Sequence, residues 1–272
     1  MNMIDEKCKL CLIENRVKDL IRLKGGDKIP YLLKDLSYQL ESNKDRDSLF
    51  VDSFNYIKKL IKDEDPYKEL KMNLNKIGKE ASLIVRKELI ENNWNLDLAL
   101  KFSASANIID INVLGYEYVD LKDALHDEVK VYEKINLPKE KEIYLIFDNS
   151  GEVYIDLLLK ESLIKNGYNV KTVIRKNSYE IDVTSDEIDA DIIIDGNYSP
   201  IKKINEGFII AKGIANLEAY LFSNKKIDTL HLFRAKCEVL AERFNVKKNT
   251  PIIISGKNLL NVLKINNLTF HK

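Results

Sequence analysis

An apolar run, Ile143-Tyr144-Leu145-Ile146-Phe147, stops at Asp148-Asn149-Ser150-Gly151-Glu152, and helical periodicity begins directly afterwards. A carboxylate at the end of a buried strand needs a partner, and helix amides or a cation are the natural ones. Asp148 and Asn149 together present two adjacent oxygen donors, which suit a hard or borderline divalent cation. A structural reading competes with that one. Asn149 with Glu152 three residues on has the spacing of a capping box. The cap accounts for Asn149 and Glu152 and leaves Asp148 unexplained, so on local grounds the two readings stand level.

Other stretches carry weaker signals. Thr184 and Glu187 have capping-box spacing, and Asp182 just before them reads on its own as a solvated loop acid. Lys212-Gly213, with Asn216 and Glu218, follows the apolar Phe208–Ala211. The glycine lets backbone approach a ligand and the lysine supplies charge for a phosphate, although a strand-to-helix turn capped by Asn216 explains the same residues. Lys236 by itself reads as a surface lysine. Cys8-x-x-Cys11 is half a zinc motif without a second half, and Cys237 joins it only through folding. The three histidines are scattered and form no Ser-His-Asp pattern. A dinucleotide site is poorly supported, since no GxGxxG follows the strand. A phosphatase of the haloacid dehalogenase type wants a second aspartate where Ser150 stands.

The elements that must position these residues divide the chain. Apolar residues at three- and four-residue steps predict a helix over Ile4–Leu23, with Leu10, Ile13, Val17, Leu20 and Ile21 on one face. Gly25-Gly26 ends it and Pro30 opens the next. Ser48–Glu64 and Tyr67–Asn93 continue the helical texture. Residues 102–117, rich in small and polar side chains, read as a loop, and Pro138 marks a second boundary. From residue 143 short Ile- and Val-rich runs alternate with periodic segments. That is the pattern of a mainly parallel sheet with flanking helices, an α/β, Rossmann-like half behind a helical amino-terminal half. The expected organisation is a helical domain over 1–100, a linking loop and helix over 101–140, and an α/β domain over 141–272. Ligands of such sheets sit at the carboxyl ends of the strands, where Asp148-Asn149 and Lys212-Gly213 fall.

Bulk properties exclude more than they select. The 272 residues carry no net charge, so no global field favours nucleic acid or an anionic membrane. No window reaches the ~18 apolar residues of a membrane span, and three cysteines without a disulfide framework fit a reducing, cytoplasmic setting. Oligomeric state is not legible.

Taken in order, the motifs resemble those of the damage-control phosphatases, the DUF89 family, and its short archaeal members most. Cys8-Lys9-Leu10-Cys11 matches its C-x-x-C, and Ala106-Asn107-Ile108-Ile109-Asp110 resembles its G-N-x-x-D with alanine in place of glycine. Asp148 to Glu152 matches D-N-x-G-E, Asp182-Val183-Thr184 matches D-V-T, Lys212 to Glu218 matches K-G-x-x-N-x-E, and Lys236-Cys237 matches K-C. The resemblance implies a divalent-metal-dependent phosphatase acting on small phosphorylated metabolites, damaged or surplus ones and sugar phosphates among them. It implies that Asp148, Asn149 and Asp182 hold the metal (Mn, Ni, Co or Mg), raising Asp182 from loop acid to ligand.

Metal-assisted hydrolysis of a phosphomonoester follows as the expected chemistry. Lys212 and Lys236 would offset phosphoryl charge. Ser150, Gly151 and Glu152, with Gly213 and Asn216, would line the substrate, and helix amides after Asn149 would receive phosphate oxygens. Asn107 and Asp110 would reach in from the linking loop. Asp148 as ligand only, or as nucleophile, stays open. Two rivals also stay open: an S-adenosylmethionine-dependent carboxyl methyltransferase, whose glycine-rich loop DNSGE supplies poorly, and a non-catalytic metabolite-binding protein.

Overall fold

The computed structural model describes residues 6–42, 44–108, 121–223 and 226–269. The amino-terminal part is helical: α1 (Glu6–Arg22), α2 (Ile29–Glu41), α3 (Arg46–Ile61), α4 (Lys68–Glu91), α5 (Leu96–Ala106) and the short α6 (Leu121–Ala124). Then β1 (Lys130–Val131) and β2 (Ile143–Ile146) precede α7 (Val153–Lys165), β3 (Val170–Arg175) and β4 (Ile192–Ile194). The chain closes with β5 (Phe208–Lys212), α8 (Gly213–Phe222), β6 (Asp228–Arg234), α9 (Glu238–Phe244), β7 (Pro251–Ser255) and α10 (Gly256–Thr269). None of the described helices is long and apolar enough to cross a membrane.

The seven strands form one sheet in the order β1-β7-β6-β5-β2-β3-β4, and every pairing is parallel except β6 with β7. The six strands expected from the Ile- and Val-rich runs are β2 to β7; the two-residue β1 is too short to leave a pattern. From β2 the chain winds outward through β3 and β4. It then crosses back to β5 on the other side of β2 and winds outward again. The switch point of the topology therefore lies between β2 and β5, where the crevice above the strand ends opens.

Strand β2 has no polar residue because both its faces are covered. Ile143, Leu145 and Phe147 join the core under the helical part, whereas Tyr144 and Ile146 join the core under α8, α9 and α10. The first of these cores is continuous from Leu12 of α1 through Phe54 of α3 to the sheet, so the helical part and one sheet face bury the same apolar surface.

Two local expectations are corrected. Phe102–Ala106 is the end of α5, not a loop. Its small residues are buried, and Ser103 donates to Asp156 of α7 at 2.6 Å; small side chains here let α5 lie close to its neighbours. On α1, Leu10 and Ile21 are exposed, and the buried face runs through Cys8, Leu12, Asn15, Arg16, Asp19 and Leu20. That face is half polar because Arg16 and Asp19 pair with each other at 2.6 Å inside the core, and Arg16 also donates to Ser53 of α3 at 2.8 Å.

Candidate active site

The loop after β2 carries Asp148 to Glu152. It forms no capping box: α7 starts at Val153, with Glu152 at its N-cap and no side-chain cap bond. The loop is instead tied to the segment after β3. Asn149 bridges to Asp182, and Val183 donates its backbone N–H to the Asp148 carbonyl at 2.9 Å. Thr184 bridges to Arg175 at the end of β3. Its pair with Glu187 forms, the Thr184 N–H reaching Glu187 Oε1 at 3.1 Å, but it closes a turn and starts no helix. These backbone ties place Asp182, remote in sequence, beside Asp148 and Asn149.

Asp148, Asn149 and Asp182 line one cavity of about 110 Å³ together with Lys236 and, from α8, Ile214 and Ala215. Helices α1 and α3 supply the opposite wall through Cys11, Asn15, Arg46 and Phe50. Asp148 is fixed through one oxygen. Asn107 Nδ2 donates to its Oδ2 at 2.9 Å and Asn149 Nδ2 at 3.1 Å; no hydrogen bond to Oδ1 is made among the described residues. Asn107 is itself oriented, since its Nδ2 also reaches both Glu152 oxygens at 3.0 Å while its Oδ1 accepts the Arg234 N–H at 3.4 Å. Gly213 has φ +75°, and a Cβ there would overlap the Asp148 carboxylate. Glycine at the start of α8 is what lets that carboxylate sit over the helix end.

Charge is unevenly distributed around this point. Burial, with the Glu152 carboxylate adding to it, pushes Asp148 up to about 7. Burial likewise raises Glu152, Asp156 and Asp182, with Arg175 opposing the effect at Asp182 through an ion pair of 2.7 Å. Four buried carboxylates thus crowd the strand ends, an arrangement that a cation relieves. Two carboxylates and a carboxamide on one cavity could hold a divalent ion. Among the described residues no group of three His, Cys, Asp or Glu could do so, so the set depends on Asn149 for its third donor.

Lys212 is placed differently from the expectation. Its Nζ donates to the Ser103 carbonyl at 2.6 Å and to Asp156 at 2.7 Å, with Glu152 at 3.5 Å, all fully buried beneath the cavity. Burial works to lower its pKa, and the Asp156 and Glu152 carboxylates outweigh it, so the ammonium is held charged. Lys236, by contrast, is buried but lines the cavity, so it is not a surface lysine. Ser150 and Gly151 face away from the cavity: Ser150 Oγ donates to Glu187 at 2.6 Å, and the Gly151 N–H to Asn75 Oδ1 of α4 at 2.8 Å. The Ser150 N–H goes to Ile181 O at 2.9 Å. These amides are committed and do not receive a phosphate. Gly78 of α4 makes the contact feasible, because a Cβ there would overlap the Gly151 carbonyl. Asn216 lies in the first turn of α8 and donates to the Lys212 carbonyl at 2.9 Å, so it is not the helix cap. Asp110 lies outside the described residues.

Sequence reasoning missed Arg175, Asp156, Arg46 and Asn15. Asp156 could have been found as the one acid within the apolar Val153–Leu159, a turn beyond Glu152. Cys11 and Cys237 both line the cavity and Cys8 is buried nearby on α1.

Comparison with known proteins bears on this geometry. Residues 4–196, more than half the chain, match the model of the damage-control phosphatase ARMT1-like domain. The chain belongs to that family. A damage-control phosphatase of Archaeoglobus fulgidus is 29% identical to it, over 67% of this chain and 73% of that protein. The uncharacterized protein MJ0202 of Methanocaldococcus jannaschii is 27% identical, over 73% of this chain and 76% of the relative. The fold is that of a DUF89 family protein from Pyrococcus horikoshii, with a TM-score of 0.72 at 21% identity, covering 92% of this chain and 98% of that one. Of the residues named from the sequence, Cys11, Asp148, Asn149, Asp182, Glu218, Lys236 and Cys237 line the cavity, whereas Ser150, Gly151 and Lys212 do not.

Proposed function

We propose that the protein is a divalent-metal-dependent phosphatase of small phosphorylated metabolites. The observation that carries this reading is the convergence of Asp148, Asn149 and Asp182 with Lys236 and the start of α8 on one cavity at the switch point of the sheet. Asp148 and Asp182 bring the anionic oxygens and Asn149 a neutral one, the donor set of a hard or borderline cation. Such an ion, when bound, polarises a phosphoryl oxygen and acidifies water.

The chain's own residues supply the rest. Lys236 is the cavity lysine that offsets phosphoryl charge. The amino-terminal turn of α8 has no side-chain cap, and Ile214 and Ala215 line the cavity there, so its backbone N–H groups are placed to receive phosphate oxygens. Asn107 holds Asp148 in one orientation through hydrogen bonds to two carboxylates. Lys212 has a positioning role: it compensates Glu152 and Asp156 beneath the cavity and so keeps the loop that carries Asp148 in place. The methyltransferase reading loses support, since the amides of Ser150 and Gly151 are bonded within the fold and leave no cradle after β2.

Purified protein incubated with a panel of phosphomonoesters and Mn²⁺, Co²⁺, Ni²⁺ or Mg²⁺ is expected to release inorganic phosphate, and to stop when the metal is chelated. Absence of phosphate release from every ester under every metal contradicts the proposal.

A further inference from the structure

The turn that presents Asp182 carries a backbone cost that its own neighbours do not explain. Asp182 donates its N–H to the Tyr179 carbonyl at 3.0 Å, which closes a turn with Glu180 and Ile181 at its centre. Glu180 has φ +45°. Turns with a positive φ at this place favour glycine, and the left-handed conformation is costly for a side chain such as glutamate.

What the glutamate gains is a tie to the helical part. Its Oε1 accepts from Arg16 Nη2 at 2.7 Å. Arg16 is fully buried, and α1 and α3 hold it by themselves: its Nε donates to Ser53 Oγ at 2.8 Å, its Nη1 to Asp19 at 2.6 Å and its Nη2 to the Phe50 carbonyl at 3.0 Å. Asp19 already matches its charge, so neutralising Arg16 is not what calls for a second carboxylate. The guanidinium is a fixed post to which Glu180 fastens the turn. Just before the turn, Ser178 Oγ donates to Asp65 at 2.7 Å and Tyr179 meets Phe54 of α3 edge-on, with ring centroids 5.7 Å apart. Just after it, Asp182 bridges to Asn149. Glu180 stands between these ties, two residues before Asp182 and on the same cavity.

We propose that Glu180, anchored on Arg16, is a positioning residue: it holds the turn so that the Asp182 carboxylate stays where a divalent cation needs it. The inference rests on the reading of Asp148, Asn149 and Asp182 as a cation site and deepens it, because it gives the helical part a share in cation affinity. Oxygen donors must lie within a few tenths of an ångström of their ideal distance, and groups that orient a ligand typically account for roughly ten- to a hundredfold in metal affinity.

Calorimetric titration of Mn²⁺ into the full chain tests this with three substitutions. Glu180→Gly relaxes the turn and Glu180→Asn tolerates the positive φ, but neither side chain reaches Arg16. Glu180→Gln keeps the length and an oxygen that accepts from Arg16, and removes only the charge. The Mn²⁺ Kd is expected to rise about tenfold in Glu180→Gly and Glu180→Asn and by no more than about threefold in Glu180→Gln. Thermal midpoints of the first two stay near that of the wild type, since the strain removed offsets the ion pair lost. Saturating Mn²⁺ restores their kcat for phosphate release, as befits a residue that acts through Asp182. Unchanged Mn²⁺ affinity in Glu180→Gly and Glu180→Asn, or a loss in Glu180→Gln as large as theirs, overturns the inference and leaves the cation site standing. Wild-type protein that binds no Mn²⁺ overturns both.

Discussion

The two walls of the cavity handle buried charge in opposite ways. On the helical side the carboxylates that line the cavity are ion-paired, Asp47 with Lys202, Glu180 with Arg16 and Glu218 with Arg46, although Arg16 also serves Asp19 and Lys202 also serves Asp45. At the strand ends Asp148, Glu152, Asp156 and Asp182 share Arg175, Lys212 and Lys236, and burial holds these carboxylates above their usual range. A balanced wall costs little; an anion-rich one is unstable alone and is completed by a cation. Under the proposed function, the chemistry belongs to the anion-rich strand ends.

Substitution at the strand ends should therefore separate activity from stability most sharply. Asp148→Asn keeps the shape of the side chain and removes a buried charge. Phosphate release is expected to fall by about a thousandfold or more, whereas the thermal midpoint stays level or rises. A fall in both together would place Asp148 among the structural residues and break the comparison.

The two lysines sharpen it next. Lys212→Met leaves Glu152 and Asp156 uncompensated beneath the cavity and is expected to destabilise the protein by about 3–5 kcal/mol in urea unfolding. Lys236→Met is expected to lower kcat about a hundredfold with the smaller effect on stability. Reversed outcomes would exchange the roles given to them. Gly213→Ala combines a strained positive φ with overlap on the Asp148 carboxylate, for a loss of about 2 kcal/mol and a parallel loss of activity.

The smallest effect lies outside both walls. His231 is fully buried on β6 against Tyr220, and burial lowers its pKa to about 3. The unfolded chain takes up this proton near pH 6.5 and the folded chain does not, so stability is complete above that value and falls with acidification toward about pH 3. The expected slope is up to about 1.4 kcal/mol per pH unit. His231→Leu should flatten it, measured as urea midpoints between pH 7 and 5; an unchanged slope would show that His231 is not its source, since the raised carboxylates of the cavity act in the opposite direction, gaining stability on acidification.

Much of the sheet was legible because strands buried on both faces read as unbroken apolar runs, and their carboxyl ends mark where a ligand lies. The site was legible only in part. Asp148 declared itself by having no local partner, but Asp182 did not, since what makes it a site residue is the backbone bridge to Asn149, a contact between segments far apart in the chain. Lys212 looked like a phosphate ligand because a lysine before a glycine at a strand end reads the same whether its ammonium points into the crevice or under it. The polar face of α1 was missed for a related reason. Helical periodicity seeks an apolar stripe, and the stripe that is buried here carries Asn15, Arg16 and Asp19.

The central claim is that Asp148, Asn149 and Asp182 hold a divalent cation used in phosphate release. Calorimetric titration with Mn²⁺, run beside a phosphate-release assay on the same samples, tests it most directly. A single Mn²⁺ should bind the wild-type chain and be lost, together with activity, in both Asp148→Asn and Asp182→Asn. Undiminished Mn²⁺ binding by both variants would contradict the account.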